Sequence, residues 1–431
     1  MRLVLLGGVV CVLVFMFAAN QYLKGWSKHT PITRVVADYD DQYTDDTEQE
    51  NEEMKNEGEN DNNDNNDGGG GGWGWREVVC PSFASAPLPP FPIPLPPFQA
   101  YANKKGEEVG EGGAERGSSP GTNNIYFLET TCAITLNAKM ACAVESAATH
   151  HPTHTIHLAL TATHISGTDQ MLHTLAALPN THLTALHPNA LLTPSHPLAH
   201  WLNHGSWADN ADWAGVTLSD IVRLMVVCES GGMYLDLDLL TLAPLPSSQA
   251  WLGRERWDQV SNGAFRLPKG HWLCGNVTNE VIDGYDGGVW GSSGPKAMQR
   301  ALVNICNTAN LSTITQCHDL QLLDPKTLYP IHYKEWETIF LPPTTTTTTT
   351  TKTATTGGGG VGEGDDGWWV PGPDTLALHL WNHFSAAVPL RPGDGSVLDL
   401  VARKNCPKVY RVVQNVNKLK QQLGANKWKQ N

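Results

Sequence analysis

Short apolar runs alternate with longer segments of mixed apolar and polar residues between residues 124 and 242. The short runs are typical of buried strands, whereas apolar positions that recur every three or four residues predict helices. The predicted strands are NIYFLET, THTIHLALTA and HLTAL, and the predicted helices are AKMACAVESAATH, DQMLHTLAAL and SDIVRLMVVCES. This alternation favours an α/β fold in which helices cover both faces of a mainly parallel sheet. Ligands of such sheets bind at the carboxyl ends of the strands.

The pattern continues further along the chain. SNGAFRLP predicts a short strand pair, GSSGPKAMQRALVNICN predicts a helix, and strand-like sequence resumes at TLALHLWN. The intervening residues 344–366 are dominated by Thr and Gly, a composition that predicts a surface insertion and not a core element. The folded region is therefore expected over 123–343 and 367–431.

The N-terminal part differs from this folded region. An uncharged apolar run at residues 3–19 predicts a signal-anchor helix within residues 1–24, preceded by a short cytoplasmic end. The alternative is a cleaved signal peptide, but cleavage after Ala19 would place the bulky Phe17 where a small residue is preferred. Residues 25–122 are acidic and rich in Pro and Gly, and they predict a disordered stem. Both alternatives place the folded region in the secretory lumen.

The net charge of −14 carries little information about the chemistry. Residues 38–67 contain fourteen acidic residues and one lysine, a net charge of −13. The remainder of the chain is close to neutral and has no basic stripe, which argues against a nucleic-acid partner.

Cysteines and sequons fit a lumenal location. One of the nine cysteines lies in the apolar run, and the other eight form an even set, which favours disulfides in an oxidising compartment. Cys306 and Cys317 flank a short polar connection and are the best single predicted pair. Asn276 and Asn310 begin sequons and are predicted N-glycosylation sites.

The segment GGMYLDLDLLTL, residues 231–242, contains two carboxylates in a strand-like run. On an extended strand Asp236 and Asp238 share one face with Tyr234, and their Cα atoms are about 6.5 Å apart. Two adjacent buried carboxylates repel and lose hydration, and a divalent cation compensates both costs. Oxygen ligands suit Mg²⁺ or Mn²⁺, which keep positions open for phosphate oxygens. The same Asp-X-Asp spacing occurs at Asp38 and Asp40 in the predicted stem. The spacing alone therefore does not indicate a metal site; the apolar strand before Asp236 does.

Asp220 and Arg223 lie upstream of the two aspartates, three residues apart on one face of a predicted helix that has Ser219 as its N-cap and Gly231 or Gly232 as its C-terminal stop. One interpretation is a structural ion pair. The other is that Asp220 accepts hydrogen bonds from sugar hydroxyls while Arg223 bridges sugar and phosphate.

Several motifs occur in an order that resembles a known family. SDIVR followed by GGMYLDLDLL resembles glycosyltransferase family 32, the sugar transferases with an Asp-X-Asp motif. The later segments NGAF, GGVWGSSGP, LYPIHYKEW, LHLWN and NCP resemble, in that order, the C-terminal region of the alpha-1,4-glycosyltransferases. The resemblance spans residues 124–413, so it assigns the catalytic domain and the first part of that C-terminal region to 123–343 and the rest to 367–431.

The resemblance implies a nucleotide-sugar-binding fold of the glycosyltransferase A type in a single-pass type II protein of the Golgi membrane. It implies retaining transfer of galactose, or of an N-acetylhexosamine, from a UDP-sugar in alpha-1,4 linkage. The implied acceptor is the terminal sugar of a glycosphingolipid, with glycoprotein or other glycan acceptors as the alternative. The oligomeric state is left open.

The resemblance also implies roles for individual residues. Asp236 and Asp238 hold Mn²⁺, or Mg²⁺, on the diphosphate of the UDP-sugar, and Asp220 and Arg223 bind the donor sugar. Further residues implied in substrate binding are Tyr234, Asn262, Gly263, Trp290, Gly291, Gly294, Pro295, His379 and Asn382. His379 or Asn382 completes the metal site, whereas Trp381 fits a core position equally well. The front-face mechanism proposed for the family needs no dedicated base, so no nucleophile is assigned.

Three other interpretations are less consistent with the sequence. Aspartate-dependent phosphohydrolases usually have Thr or Val two residues after the second Asp, and this chain has Leu240 there. The seventeen histidines have no repeated ligand spacing that would indicate metal storage. A lumenal protein that only binds glycans would keep the fold but bind a UDP-sugar poorly.

Overall fold

The computed structural model describes residues 91–98, 123–188, 191, 196–204, 207, 214–342 and 372–428. The predicted signal anchor, almost all of the predicted stem and the Thr/Gly insertion lie outside these residues. Within the described part of the chain, no helix is both long enough and apolar enough to cross a bilayer.

In the part of the chain that the structure describes, twelve strands form one large sheet and two small ones. In chain order they are β1 (Pro92–Pro94), β2 (Asn124–Glu129), β3 (Thr155–Leu160), β4 (His164–Ser166), β5 (Thr181–Ala185), β6 (Gly232–Leu235), β7 (Leu239–Thr241), β8 (Ala250–Arg256), β9 (Gln259–Leu267), β10 (Gln316–Cys317), β11 (Leu320–Leu322) and β12 (Ala377–His379). The large sheet has the order β10-β11-β8-β9-β6-β2-β3-β5, and the pairs β1-β4 and β12-β7 form the small sheets.

The large sheet is mixed, so the prediction of a mainly parallel sheet is correct for only part of it. Strands β6, β2, β3 and β5 are parallel, as are β11 and β8. Strand β9 is antiparallel to both β8 and β6. Only Trp257 and Asp258 separate β8 from β9, and so short a connection can join only antiparallel neighbours. The predicted short strand pair at SNGAFRLP is instead part of this single strand β9.

Helices cover both faces of the large sheet, as the sequence predicted. They are α1 (Ala138–His150), α2 (Gln170–Ala176), α3 (Pro197–His204), α4 (Ala214–Ser230), α5 (Trp272–Gly284), α6 (Pro295–Ile305), α7 (Pro325–Leu328), α8 (Asn382–Ser385), α9 (Val397–Asn405) and α10 (Pro407–Trp428), with 3₁₀ helices at Leu311–Thr313 and Tyr333–Phe340. Neighbouring residues of β2 alternate between two hydrophobic clusters, Phe127 packing in one and Tyr126 in the other. All six residues of β2 are buried, so this strand forms the centre of the fold.

Helix α4 comes directly before β6, the strand that precedes the two aspartates. It begins at Ala214, so Ser219 lies inside the helix and the predicted N-cap is wrong, because AGVTL continues the helical pattern upstream. The predicted stop is confirmed at Gly231, which has φ +72° and whose N–H donates to the carbonyl of Val227 at 2.7 Å. A Cβ there would lie 2.9 Å from the backbone nitrogen of Lys269, so the turn requires glycine.

Within the described ranges, both cysteines are resolved for three disulfides. The predicted pair Cys306–Cys317 is confirmed. Cys228–Cys274 joins α4 to α5, and Cys142–Cys406 joins α1 to the residue just before α10.

The two predicted glycosylation sites differ in their surroundings. Asn310 is exposed and caps the 3₁₀ helix Leu311–Thr313. Asn276 is partly buried within α5, and the Thr278 of its sequon is 8% exposed. Asn310 is therefore the more accessible acceptor, and both sites stay predictions.

Candidate active site

The two aspartates lie just beyond the end of β6. Strand β6 ends at Leu235, and a turn follows in which the N–H of Leu239 donates to the carbonyl of Asp236 at 3.0 Å. The prediction that both carboxylates share one face of an extended strand is therefore wrong. The chain leaves the large sheet at this point because its next residues pair as β7 with the distant strand β12.

This pairing brings His379 to the aspartates. In the β7-β12 ladder His379 lies opposite Leu239. Its Nε2 is 3.2 Å from Asp238 Oδ1 and 3.9 Å from Asp236 Oδ2. One ligand atom from each of the three residues lies within 4.8 Å of the others. The Asp236, Asp238 and His379 side chains are 23%, 12% and 11% exposed, so the cluster opens to solvent on one side.

The cluster has the charge and the donor atoms that a divalent cation requires. Burial opposes a charge on His379, but the neighbouring Asp238 and Asp236 carboxylates outweigh it and raise the pKa of His379 to about 10. The group of side chains thus favours positive charge at its centre, whether from a proton or from a metal ion. The backbone N–H of Asn382 donates to Asp238 Oδ2 at 2.6 Å. Asn382 Oδ1 is buried and has no hydrogen-bond partner among the described residues, which leaves one more oxygen for a ligand.

Arg223 joins helix α4 to the metal-binding cluster. Its Nη1 donates to Asp236 Oδ1 at 2.9 Å and to the carbonyl of Asn262 at 3.2 Å. Its Nη2 donates to Ser219 Oγ at 2.7 Å but lies 3.6 Å from Asp220. Asp236 is thus the closer ionic partner of Arg223, and the predicted Asp220–Arg223 pair is a looser contact within the same network.

Asp220 is bound by amide and hydroxyl groups. Its Oδ1 accepts a hydrogen bond from Asn262 Nδ2 at 2.7 Å, and its Oδ2 accepts one from Ser293 Oγ at 2.9 Å. Burial raises the pKa of the Asp220 carboxyl, against the opposing effects of Arg223, Asn262 and Ser293. A buried carboxylate held by neutral donors retains acceptor capacity for the hydroxyls of a ligand.

Two glycines allow these polar groups to approach each other. A Cβ on Gly294 would lie 2.3 Å from Asn262 Nδ2 and 2.5 Å from Asp220 Cγ. A Cβ on Gly263 would lie 2.5 Å from Asp236 Oδ2. A real Cβ essentially never lies closer than 3.0 Å to another atom, so a side chain at either position would displace these polar groups. Two of the predicted glycines are therefore part of the site itself.

The other predicted residues have less direct positions. Gly291, at φ +72°, shapes the loop before α6, and Pro295 is the first residue of that helix. Trp290 is partly exposed on the same loop. The described contacts of these three residues do not reach the metal-binding cluster.

Two aromatic residues support the cluster from the interior. Tyr234 is 1% exposed, and its hydroxyl donates to Asp236 Oδ1 at 2.6 Å beneath the guanidinium of Arg223. Trp381 packs against His379, with ring centroids 4.5 Å apart, and its indole N–H donates to the carbonyl of Ile331. Trp381 is thus a buried packing residue.

The sequence did not single out Ser293, Tyr329, Ser261 or Glu255. Tyr329 packs on His379 with ring centroids 5.1 Å apart, and its hydroxyl donates to Ser261 Oγ at 2.8 Å. Ser293 and Tyr329 lie within motifs that the resemblance had marked, GSSGP and LYPIHYKEW, so the motifs were a usable signal. Glu255 had no such signal.

Comparison with known proteins agrees with this site. The description "Glycosyltransferase sugar-binding region containing DXD motif" matches residues 137–258, and "Alpha 1,4-glycosyltransferase conserved region" matches residues 266–413. The chain therefore carries a DXD sugar-binding region and the conserved region of alpha-1,4-glycosyltransferases.

Relatives of the chain include two human enzymes. The human alpha-1,4-N-acetylglucosaminyltransferase is 26% identical over 297 residues, which cover 67% of this chain and 79% of that protein. The human lactosylceramide 4-alpha-galactosyltransferase is 30% identical over 233 residues, 52% of this chain and 64% of that protein. The galactosyltransferase LgtC, solved with donor and acceptor sugar analogues, is 13% identical over 47% of this chain and 74% of that chain, with a TM-score of 0.27.

The protein is a hexosyltransferase, and its relatives imply a nucleotide-sugar donor and a glycan or glycolipid acceptor. Its Asp-X-Asp region implies a divalent metal ion, and Asp236, Asp238 and His379 form a cluster suited to hold one.

Proposed function

We propose that this alpha-1,4-glycosyltransferase transfers galactose, with retention of configuration, from UDP-galactose to the terminal sugar of a glycosphingolipid. The observation that carries the proposal is the contiguous polar network in which Arg223 connects the Asp236–Asp238–His379 cluster to Asn262, whose amide holds Asp220. The relatives named lactosylceramide 4-alpha-galactosyltransferase support this choice of donor and acceptor.

Asp236, Asp238 and His379 would hold the metal ion, and Mn²⁺ is the proposed ion. Carboxylates suit Mg²⁺ and Mn²⁺ alike, but a nitrogen ligand such as His379 is better accepted by a transition metal. When bound, the ion supplies Lewis-acid stabilisation of the negative charge on the departing diphosphate.

The protein's own groups would orient this centre. Arg223 and Tyr234 both donate to Asp236 Oδ1, which turns Oδ2 toward His379. The backbone N–H of Asn382 fixes Asp238 in the same way. Because these three donors hold the two carboxylates before substrate binds, little reorganisation is required during the reaction.

Asp220 and Arg223 would bind the donor sugar. A carboxylate has about four acceptor positions. Asn262 and Ser293 use two of those of Asp220, so donor-sugar hydroxyls would use the others. Gly294 keeps the loop close enough for Ser293 to reach Asp220.

The wider architecture is part of the proposal. The fold would be of the glycosyltransferase A type, carried on the predicted anchor and stem with its catalytic region in the Golgi lumen. The three disulfides between described residues are consistent with an oxidising compartment.

A second donor class deserves the same test. The human alpha-1,4-N-acetylglucosaminyltransferase aligns with 67% of this chain, more than the 52% of the human galactosyltransferase. Transfer of an N-acetylhexosamine to a glycoprotein or other glycan acceptor is therefore the alternative.

The test uses the full-length protein in detergent with Mn²⁺. UDP-galactose, UDP-N-acetylgalactosamine and UDP-N-acetylglucosamine are each supplied with lactosylceramide or a glycoprotein acceptor, and the product linkage is determined by NMR. We expect galactose transfer to lactosylceramide, and we expect Asp236→Asn and Asp238→Asn each to abolish it.

Asp40→Asn, in the stem copy of the same motif, is the matched control and should keep full activity. Transfer that survives in both Asp236→Asn and Asp238→Asn would exclude the metal role. Failure to transfer any sugar, together with measurable glycan binding, would favour a glycan-binding protein.

A further inference from the structure

Glu255 is a carboxylate close to the metal-binding cluster that the proposed mechanism does not use. It lies on β8, one residue before the end of the strand, and is partly exposed. Its carboxyl is hydrogen-bonded to Ser261, and the charges of His379 and Asp236 both act on it. Ser261 in turn accepts a hydrogen bond from the Tyr329 hydroxyl at 2.8 Å. Glu255 therefore lies on the side of the metal-binding cluster that Ser261 and Tyr329 occupy.

Strand β9 separates Glu255 from the proposed donor-sugar residues. Side chains alternate along the strand, so Asn262 points toward α4 and binds Asp220. Ser261 and Gly263 point to the other side, toward Tyr329. Asp236 lies between the two sides, with Oδ1 on Arg223 and Oδ2 next to Gly263 and His379. The metal-binding cluster thus has Asp220 on one side and Glu255 on the other.

The carboxylate of Glu255 has no salt-bridge partner among the described residues. The adjacent Arg256 is paired with Asp258, with Nη2 and Oδ2 2.7 Å apart, and its charge also acts on Glu255. Burial raises the pKa of Glu255, against the opposing effects of His379, Ser261 and Arg256. A partly exposed carboxylate with one hydroxyl partner keeps acceptor positions for a ligand hydroxyl.

We propose that Glu255 binds a hydroxyl of the acceptor sugar, on the side of the metal-binding cluster opposite to the donor sugar. The inference rests on the proposed function. Both sugars must meet beside the cluster, and the Asp220 side is assigned to the donor sugar, which leaves the Glu255 side for the acceptor. Glu255 takes no part in bond making in this scheme; it determines where the acceptor hydroxyls lie.

The test compares Glu255→Gln with the wild type as full-length protein in detergent with Mn²⁺. Glutamine has nearly the same size and can still hydrogen-bond Ser261, but it lacks the charge. We expect the KM for lactosylceramide to rise roughly 10- to 100-fold, the range for losing a hydrogen bond to a charged group. The KM for UDP-galactose and the slow hydrolysis of UDP-galactose without acceptor should be unchanged.

Glu229→Gln, at the far end of α4, is the control and should not change any of these values. An unchanged acceptor KM in Glu255→Gln would overturn the inference. So would a parallel loss of donor hydrolysis, because that result indicates a structural or donor-binding role.

A binding measurement separates this inference from the proposed function. Saturation-transfer NMR with methyl lactoside, UDP and Mn²⁺ detects acceptor binding without turnover. Binding that weakens in Glu255→Gln supports the inference even if another sugar is the true donor, and unchanged binding contradicts it. Absence of galactose transfer by the wild-type protein instead contradicts the proposed function.

Discussion

Gly294 lies against the buried Asp220 carboxylate, and replacing it with alanine tests the role of that carboxylate. The added Cβ would lie 2.3 Å from Asn262 Nδ2 and 2.5 Å from Asp220 Cγ, whereas ordinary contact begins at 3.4 Å. The neighbours must therefore move by about an ångström, and overpacking of this kind costs roughly 1–3 kcal/mol of stability. Because Ser293 precedes Gly294, the same movement pulls its hydroxyl away from Asp220.

The expected loss of activity follows from the hydrogen bonds of Asp220. Displacement of the carboxylate weakens its bonds to Asn262 and Ser293 and misplaces its free acceptor positions. One hydrogen bond to a charged group contributes roughly 1.5–3 kcal/mol, which corresponds to a fall in kcat/KM of roughly 10- to 150-fold. The assay is galactose transfer by the full-length protein at a temperature where circular dichroism shows the variant to be folded.

The control is Gly275→Ala, the fourth residue of α5, where an added Cβ meets nothing within 4 Å. Alanine is the better helix former by about 1 kcal/mol, so this variant should be as stable as the wild type or slightly more stable, with unchanged activity. Normal stability and normal activity in Gly294→Ala would refute the packing argument. Lower stability with normal activity of the folded protein would show that Asp220 is purely structural.

Two further predictions concern Arg223 and a histidine outside the site. Arg223→Lys keeps the charge but cannot reach Asp236 and Ser219 together, so kcat/KM should fall roughly 10- to 100-fold; equal activity would refute the positioning role. Burial lowers the pKa of His151 to about 4, below the ordinary 6.5, and its Nε2 accepts the N–H of Leu245. Between pH 6.5 and 4 the unfolded chain therefore binds a proton that the folded protein does not. The free energy of unfolding should fall by up to about 1.4 kcal/mol per pH unit as the pH decreases from 6.5 to 4. Above pH 6.5, His151 should not make the free energy of unfolding depend on pH. Denaturant unfolding at several pH values measures this slope of unfolding free energy against pH. In His151→Gln the slope should be smaller by the contribution of one proton, and a slope equal to that of the wild type would contradict the prediction.

The sequence by itself predicted the elements whose determinants are local. Helix α1 and strands β2 and β3 follow from hydrophobic periodicity, because each buries a face that repeats within the element. The stop at Gly231 was predictable because the chain there needs a positive φ, which glycine adopts without strain.

Part of the site was also predictable. Asp220, Arg223, Asp236 and Asp238 lie within nineteen consecutive residues, so one helix, one turn and one strand bring them together. Gly263 and Gly294 belong to motifs whose order marked the family. Their physical reason, close approach to Asp236 and Asp220, appears only in the structure.

Only the tertiary structure decided how distant segments complete the site. The pairing of β7 with β12 places His379 beside Asp238, 141 residues away in the chain, and ends the extended strand before Asp236. The antiparallel pairing of β9 with β8 gives the large sheet its mixed character. It also places Glu255 of β8 next to Ser261 of β9, on one side of the metal-binding cluster. Periodicity describes which face of an element is buried, but it contains no information about which element covers that face. Strand partners and the residues that meet across them depend on the whole fold, and the sequence alone left them open.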